Sequence, residues 1–192
     1  MTLRLAGSTS GYTEIDAPAV AGSNTLVLPG GNGSSGQVLS TNGSGTLSWV
    51  DRFTAAGPAF HAYQNASTSL SNSTLTKLSF QIEQYDTNNN FASPAFTPTV
   101  AGYYLLIAKA TFSPNGTNSR WVYLYKNGTK YVSLQWTKGD GTNFAEANGS
   151  SLVYMNGSTD YAEIYVQQNS GSTLTTSGDS DVYFQGFLAR PA

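Results

Sequence analysis

The stretch GYYLLIAKATF, residues 102–112, decides the fold class of this chain. Successive side chains of a β-strand point to opposite faces of a sheet, so Tyr103, Leu105 and Ile107 share one face. The alternate positions form the other face: Tyr104, Leu106, Ala108, Ala110 and Phe112. Both faces are apolar at one end, whereas a strand with one solvated face alternates apolar and polar residues. The strand therefore needs cover on both sides, and the sequence leaves open which face lies inside the protomer.

The rest of the chain repeats the strand signal. Short runs rich in Tyr, Val, Thr and Phe recur, and helical periodicity is almost absent. Asn-Gly pairs, which supply the positive φ angles of tight hairpin turns, begin at Asn32, Asn42, Asn115, Asn127, Asn148 and Asn156. The pattern predicts an all-β chain.

Composition excludes several classes of function. Charged residues make up 10% of the 192 residues, against about a quarter in ordinary soluble proteins. The formal net charge of -2 and the nine scattered Lys and Arg residues argue against a nucleic-acid partner. The absence of cysteine excludes disulfides and thiolate metal sites. The sequence MTLRLAGSTSGYTE lacks a signal-peptide pattern and no run has the length of a membrane span, so we expect folding in a cytoplasm and no membrane insertion.

A compositional shift near residue 51 divides the chain. Before it, strand-like segments such as 25–28 and 37–40 are only a few residues long and lie between glycine-rich turns. Segments this short do not close a core in one chain. We therefore predict that residues 1–51 form an extended, β-poor anchor or shaft, which either stays flexible or packs against copies of itself or another protein. Residues 52–57 are the predicted linker.

Longer runs begin at Pro58 and predict a compact knob over residues 58–190. They lie at 60–64, 75–84, 102–112, 121–126, 129–136, 151–155, 160–167 and 181–189. Eight or more antiparallel strands at this spacing are typical of a two-sheet sandwich or jelly roll.

Two of these runs have one aromatic and one aliphatic face. In RWVYLYK, Trp121, Tyr123 and Tyr125 lie opposite Val122 and Leu124, and YAEIYVQ repeats the pattern. The aliphatic face suits a sandwich core, and large aromatic faces are typical of interfaces. Ordinary surface tyrosines are the alternative interpretation. The predicted subunit-interface residues are Tyr103, Tyr104, Trp121, Tyr123, Tyr125, Tyr161, Tyr165 and Phe187.

The segment FQIEQYDTNNNFASPAFTPTVAGYYLL, beginning at Phe80, resembles the signature of the C1q domain. In that signature a Phe precedes an Asn or Asp by six positions and an aromatic residue follows five later, as Phe80, Asp86 and Phe91 do here. A second Phe then leads into Gly-x-Tyr-x-aromatic, which Phe96 and the GYY at 102–104 match.

Two departures from the signature are visible. The gap between Phe91 and Phe96 is two residues short, and Leu106 stands where Phe or Tyr is usual. YLYKNGTK at 123–130 and FQGFL at 184–188 are similar to later strands of the family, so the resemblance covers about 58–190. It implies a C1q/TNF-like ten-stranded jelly roll that assembles as a compact homotrimer, with one face of 102–112 inside the sandwich and the other against sister subunits.

Residues 3–50 resemble a different group of proteins. The sequence LAGSTSGYTEIDAPAVAGSNTLVLPGGNGSSGQVLSTNGSGTLSW is similar to segments of bacteriophage fibre and tail proteins, in which Gly-Gln-Val-Leu, a glycine turn and Leu-Ser-Trp recur. Combined with a C1q-like knob, this resemblance implies a virion fibre, head spike or capsid decoration protein.

Few groups are suited to catalysis. The single histidine, His61, lies in the expected first strand of the knob, and a structural role outweighs a catalytic one. Turn chemistry accounts for Asp140, Asp179 and Asp181. Some C1q relatives bind calcium near the trimer apex, so GDSD at 178–181 and GDG at 139–141 are candidate oxygen donors. Apart from that calcium site we expect no cofactor and no enzymatic activity.

The leading hypothesis is a non-enzymatic homotrimeric bacteriophage structural protein that attaches to a host surface or glycan through its knob. The ligand candidates are Trp136, Asn143 and Phe144, which we place in loops. The alternative is a capsid decoration or cement protein that stabilises the virion head. Both place the protein in the virion, assembled in the host cytoplasm, with other virion proteins bound by the N-terminal segment. The missing cysteines disfavour a secreted recognition protein.

Overall fold

A computed structural model describes residues 3–20, 22–51 and 57–192. The predicted linker at 52–57 lies outside the described residues, except for Gly57. All secondary-structure elements in the described ranges are β-strands, which confirms the all-β prediction. The chain divides into two compact units, Met1–Ala55 and Ala56–Ala192.

The first unit contains two antiparallel hairpins. Its strands are β1 (Leu3–Ala6), β2 (Tyr12–Ile15), β3 (Gln37–Thr41) and β4 (Leu47–Asp51). Strand β1 pairs with β2, and β3 pairs with β4. Short strands between glycine turns enclose little apolar surface, and no side chain is buried among residues 3–20 and 22–50.

The second unit is an antiparallel sandwich. Its strands are β5 (Ala59–Tyr63), β6 (Ser69–Leu70), β7 (Thr76–Lys77), β8 (Ile82–Asp86), β9 (Phe91–Ala92), β10 (Ala95–Phe96), β11 (Gly102–Phe112), β12 (Ser119–Lys126), β13 (Thr129–Lys138), β14 (Ala145–Met155), β15 (Ala162–Gln168), β16 (Leu174–Thr175) and β17 (Tyr183–Pro191). The five-stranded sheet has the order β14-β11-β17-β5-β8. The six-stranded sheet has the order β13-β12-β15-β10-β9, with β7 paired to β15, and β6 pairs with β16.

Two expectations about local structure are wrong. The run 75–84 is not one strand, because the chain crosses from the six-stranded sheet at β7 to the five-stranded sheet at β8. Asn148 and Gly149 do not form a hairpin turn but lie inside β14. A Cβ on Gly149 would lie 2.8 Å from the backbone oxygen of Leu134, so this glycine permits a close approach of two backbones.

The core between the sheets is aromatic at one end. Phe60 stacks on Phe96 with ring centroids 4.3 Å apart and meets the edge of Phe184 at 4.9 Å. The aromatic residues that match the C1q signature in the segment beginning at Phe80 belong to this core: Phe80, Phe91, Phe96 and Tyr104. The motif therefore consists mainly of packing positions.

Candidate functional site

Strand β11 fills the sandwich with one face and presents the other to solvent. Its fully buried face consists of Tyr104, Leu106, Ala108, Ala110 and Phe112. On the opposite face Tyr103 is 42% exposed, and Leu105 and Ile107 are half-buried. The open question from the sequence is thereby answered, and the outward face is the one that begins at Tyr103.

The burial of Tyr104 corrects one interface prediction. Its ring packs edge-on against Phe96 with centroids 5.3 Å apart, and its hydroxyl donates a hydrogen bond to the Val100 carbonyl at 2.7 Å. Burial raises the pKa of Tyr104 to about 12. Because its side chain is fully enclosed by its own protomer, the prediction that Tyr104 contacts a neighbouring subunit is wrong.

The outward residues of β11 lie beside apolar residues of both neighbouring strands. Tyr103 pairs with Tyr154 of β14, and Leu105 pairs with Leu152. On the other side Leu105 pairs with Phe187 of β17. Together these paired side chains form a continuous apolar surface. We call it the five-stranded face, and it consists of Tyr103, Leu105, Ile107, Leu152, Tyr154 and Phe187.

The same sheet carries an aromatic cluster around His61. The imidazole centroid lies 5.6 Å from that of Tyr183 and 6.0 Å from those of Tyr63 and Tyr85. Its Nδ1 lies 2.7 Å from Oε1 of Gln84. His61 is thus part of a packed aromatic surface that extends the five-stranded face.

A charged cluster marks the polar end of β11. Nζ of Lys109 lies 3.3 Å from a carboxylate oxygen of Glu146 and 3.3 Å from one of Asp181. Burial alone lowers the pKa of Lys109, but the hydrogen bonds to these two carboxylates outweigh burial and raise the pKa overall. The ammonium group therefore stays charged where the apolar surface ends.

A second aromatic surface lies on the outside of the six-stranded sheet. Trp121 of β12 pairs with Trp136 of β13, and Tyr123 pairs with Tyr165 of β15. The rings of Tyr125 and Tyr165 have centroids 4.3 Å apart. We call this surface the aromatic strip, and it consists of Trp121, Tyr123, Tyr125, Trp136 and Tyr165.

Polar groups border the aromatic strip and largely compensate one another. Nζ of Lys77 lies 2.5 Å from Oε1 of Glu163. Nζ of Lys130 lies 4.3 Å from the ring centroid of Tyr123, a cation–π geometry. The Tyr123 hydroxyl donates to Oε1 of Gln167 at 3.4 Å. The strip therefore combines aromatic rings with amide and hydroxyl groups and little unpaired charge.

The predicted interface residues fall on different surfaces. Tyr103 and Phe187 lie on the five-stranded face, whereas the predicted residues of β12 and β15 lie on the aromatic strip, on the other sheet. Tyr161 lies beside the turn at Asn127, whose side-chain oxygen accepts a hydrogen bond from the Tyr161 amide at 2.9 Å. The candidates therefore lie on more than one surface of the protomer, and their contact with neighbouring subunits stays a prediction.

Sequence reasoning missed two of the six residues of the five-stranded face. Leu152 and Tyr154 lie in a run that was identified as a strand, but the signal that links them to Tyr103 is the pairing of β11 with β14. That pairing joins residues about fifty positions apart, and no local pattern specifies it.

The three ligand candidates occupy one strand end and one turn. Trp136 is 62% exposed and lies within β13, which corrects its placement in a loop. Phe144 is 52% exposed and directly precedes β14. The side-chain amide of Asn143 donates to Oδ2 of Asp140 at 2.9 Å. Hydrogen bonds from the backbone and side chain of Asn143, and then from the backbone of Thr142, lower the pKa of Asp140 to about 2. A ligand role for these residues stays a prediction.

A buried cation lies next to this turn. Arg120 is fully buried, and its guanidinium donates to the carbonyl oxygens of Thr117 at 2.8 Å, Asn118 at 3.0 Å and Asn115 at 2.6 Å. Its Nε has no hydrogen-bond partner among the described residues. Burial lowers the pKa of Arg120. Arg120 therefore orders the 113–118 loop through backbone carbonyls, and sequence reasoning missed it.

No group of three or more His, Cys, Asp or Glu side chains within the described ranges is placed to hold a metal ion. In the GDSD segment, Oδ1 of Asp179 accepts hydrogen bonds from the Ser177 hydroxyl and the Asp181 amide, so the turn uses this carboxylate. A calcium site stays a prediction. The part of the chain that the structure describes contains no helix of the length and apolarity needed to cross a membrane.

Sequence comparison finds a relative in a giant virus. No family model matches the chain. An uncharacterized protein of Acanthamoeba polyphaga mimivirus is 36% identical over 98 residues, which is 48% of this chain and 41% of that relative. The matched region thus spans about two-fifths of the length of the viral protein.

Comparisons of the structure identify the fold. Murine APRIL at pH 5.0 superposes with a TM-score of 0.52 and 13% identity, over 71% of this chain and 99% of that chain. Eiger TNF from S. frugiperda superposes with a TM-score of 0.50 and 10% identity, over 71% of this chain and 94% of that chain. The sandwich is therefore a TNF-like jelly roll, as the sequence resemblance implied.

Proposed function

We propose that this TNF-like chain is a non-enzymatic structural protein of a virus particle and assembles as a homotrimer. The five-stranded face is the observation that carries the proposal. Leu152, Phe187 and Tyr103 are each more than 40% exposed on it. Monomeric proteins seldom expose a continuous apolar surface unless it contacts a partner.

Burial of the five-stranded face contributes enough free energy to offset the cost of association. Complete burial of a Leu or Phe side chain stabilises a folded or assembled state by about 1.5–3 kcal/mol. Each half-exposed side chain of the face therefore contributes about 1 kcal/mol to association when a partner covers it. Association costs about 4–15 kcal/mol in lost freedom of motion. The six residues of the face, together with the His61 cluster, reach this range. A contact repeated around a threefold axis closes on itself, and the C1q resemblance implies that arrangement.

The N-terminal unit supports an anchoring role for residues 1–51. Leu3, Leu5, Leu26 and Leu28 are all exposed, and the described residues of this unit bury no side chain. Apolar residues in such a segment are stabilised when another surface covers them. In our proposal that surface belongs to other virion proteins, while residues 58–190 project from the particle and attach to the host surface.

Further features are consistent with a virion protein. The mimivirus relative is viral, and the similarity of residues 3–50 to phage fibre segments is a prediction from the sequence. The scarcity of basic residues favours a partner other than nucleic acid, and the sequence offers no membrane span. The single histidine packs among aromatic rings, which favours binding over acid–base catalysis.

Two measurements test the proposal. The mass of the intact chain at micromolar concentration should be three times the 20.3 kDa of one copy, measured by light scattering. Antibodies against the knob should label purified particles in electron micrographs. A stable monomer would overturn the homotrimer, and particles without the protein would overturn the virion assignment.

Capsid decoration is the second candidate, favoured by the uncovered apolar residues of the N-terminal unit. Particles that lack the protein separate the two roles. Lost adsorption with unchanged heat resistance of the capsid supports attachment. Lost heat resistance with normal adsorption supports decoration.

A further inference from the structure

We propose that the aromatic strip binds a neutral, linear oligosaccharide. This inference rests on the proposed function, because it identifies what the projecting knob attaches to. Trp121, Tyr123 and Tyr125 occupy every second position of β12, so their side chains repeat about every 7 Å along the strand. Trp136 and Tyr165 widen this row on the two neighbouring strands. The row of rings is longer than a single sugar ring.

A trimer closed through the five-stranded face leaves the strip accessible. The strip belongs to the six-stranded sheet, and the two sheets of a sandwich expose opposite outer faces. In the proposed trimer the five-stranded face of each subunit lies toward the threefold axis, so the strip on the opposite outer face is directed away from that axis. Trp136 has most of its surface exposed, and three strips per trimer give a multivalent surface.

The chemistry of the strip matches that of a sugar chain. A pyranose ring offers a face of C–H groups and a rim of hydroxyls, and Trp and Tyr combine an apolar ring with a polar group. Gln167 and Ser133 lie on the same rows as Trp121 and Tyr123. Burial raises the pKa of Tyr165, so its hydroxyl stays protonated and able to donate. Tyr123 is only 8% exposed and its hydroxyl already donates to Gln167, so it supports the neighbouring rings of the strip.

The charges favour a neutral ligand over a phosphorylated one. Lys77 is paired with Glu163, and the ammonium group of Lys130 lies over the ring of Tyr123. Single-stranded nucleic acid also stacks on aromatic rows, but it needs a positively charged groove beside them. Lys138, two positions beyond Trp136, is also exposed. Lys130 and Lys138 lie near opposite ends of β13, and two separated lysines do not provide such a groove.

Binding of the full-length protein to an array of neutral and acidic linear oligosaccharides, from disaccharides to octasaccharides, tests the inference. We expect binding to neutral members. Trp136→Ala and Tyr125→Ala should each weaken it at least roughly tenfold, equivalent to about 1.4 kcal/mol. Tyr12→Ala, an exposed aromatic residue of the first unit, is the matched control and should leave binding unchanged. Far-ultraviolet circular dichroism checks that each variant is folded.

The outcomes distinguish a failure of the proposed sugar site from a failure of the proposed homotrimer. A trimer that binds no sugar, or binds only acidic ones, overturns the inference and leaves the homotrimer intact. Binding that survives both strip substitutions, or that only Tyr12→Ala abolishes, also overturns it. A monomer that binds neutral sugars through the strip overturns the proposed assembly and retains the site.

Discussion

Tyr103 and Tyr154 face each other across the β11–β14 pair, with ring centroids 5.4 Å apart and ring planes inclined by 60°. Edge-to-face pairs of this kind contribute about 0.5–1.5 kcal/mol beyond area burial. Both rings are nevertheless 42% exposed in the single chain. The pair is therefore a rigid part of the five-stranded face whose remaining surface is available to a partner.

Leu152→Glu should convert the proposed homotrimer into monomers. Leu152 is more than half exposed in the protomer, so the substitution leaves the protomer folded but places an unpaired charge in the apolar contact, which costs several kcal/mol. Light scattering should show the mass falling to that of one chain. Tyr131→Glu, on β13 of the six-stranded sheet and 49% exposed, is the control and should remain trimeric. A trimeric Leu152→Glu protein would exclude this face from the interface.

Tyr104→Phe should lower the free energy of unfolding by about 0.5–1.5 kcal/mol, the net value of one hydrogen bond. The substitution removes the hydroxyl that donates to Val100. The folded-state pKa of about 12 lies above the unfolded value near 10. The wild-type contribution from keeping Tyr104 neutral is therefore complete below about pH 10 and is lost as the pH rises toward 12.

Urea unfolding from neutral to high pH measures this difference. Tyr103→Phe, on the outward face of the same strand, should match the wild type in protomer stability. Equal alkaline destabilisation of the wild type and Tyr104→Phe would show that another group titrates in that range.

Asp160→Asn should lower stability at neutral pH and flatten its dependence on acid. The side-chain amide of Asn127 donates to the Asp160 carboxylate at 2.7 Å, Lys126 lies 2.8 Å away, and the Asn156 amide donates at 3.0 Å. These groups, Asn127 first, lower the pKa of Asp160. Its stabilising contribution is therefore present above the unfolded pKa of about 3.9 and is lost as the pH falls through the lower folded-state pKa.

The loss in Asp160→Asn should be about 1–3 kcal/mol at neutral pH and should shrink below about pH 4. Thermal unfolding across that range measures it. Glu83→Gln removes an exposed carboxylate and should have little effect at any pH. A constant difference between Asp160→Asn and the wild type down to low pH would contradict the assigned interaction.

Gly186→Ala should destabilise the sandwich by about 1–3 kcal/mol through overpacking. A Cβ at this position would lie 2.5 Å from Cδ2 of Leu106 and 2.9 Å from the backbone oxygen of Leu105. Denaturant unfolding gives the value. At Gly116 the nearest atoms would be 3.5 Å away, so Gly116→Ala is the matched substitution and should be nearly neutral.

The alternation in residues 102–112 predicts two apolar faces but does not say which one is inside. The alternation of side chains along a strand assigns them to two faces. The buried face is the one against which the second sheet packs, and the alternation does not identify it. The same limit explains why Tyr104 was assigned to the interface. The residues of FQGFL and of the segment after Phe80 were more informative, because their order along the chain resembles that of a known fold.

The alternation of inward and outward side chains in β12 also predicts the direction of Arg120. Arg120 lies two positions before Val122 and four before Leu124, both of which fill the core, so its inward direction follows from the strand period. The strand period does not predict that the guanidinium donates hydrogen bonds to three backbone carbonyls of one loop. Such a site depends on loop geometry, which no short-range pattern encodes.

The N-terminal unit has no interior of its own in residues 3–20 and 22–50. Substitutions there remove no core packing, since the destabilisation caused by large-to-small changes comes from buried positions. The two parts of this polypeptide therefore evolve under different constraints. Residues 58–190 must conserve the shape of a packed interior, whereas residues 3–20 and 22–50 can change without opening a cavity, so the first unit can diversify in sequence while the sandwich stays the same.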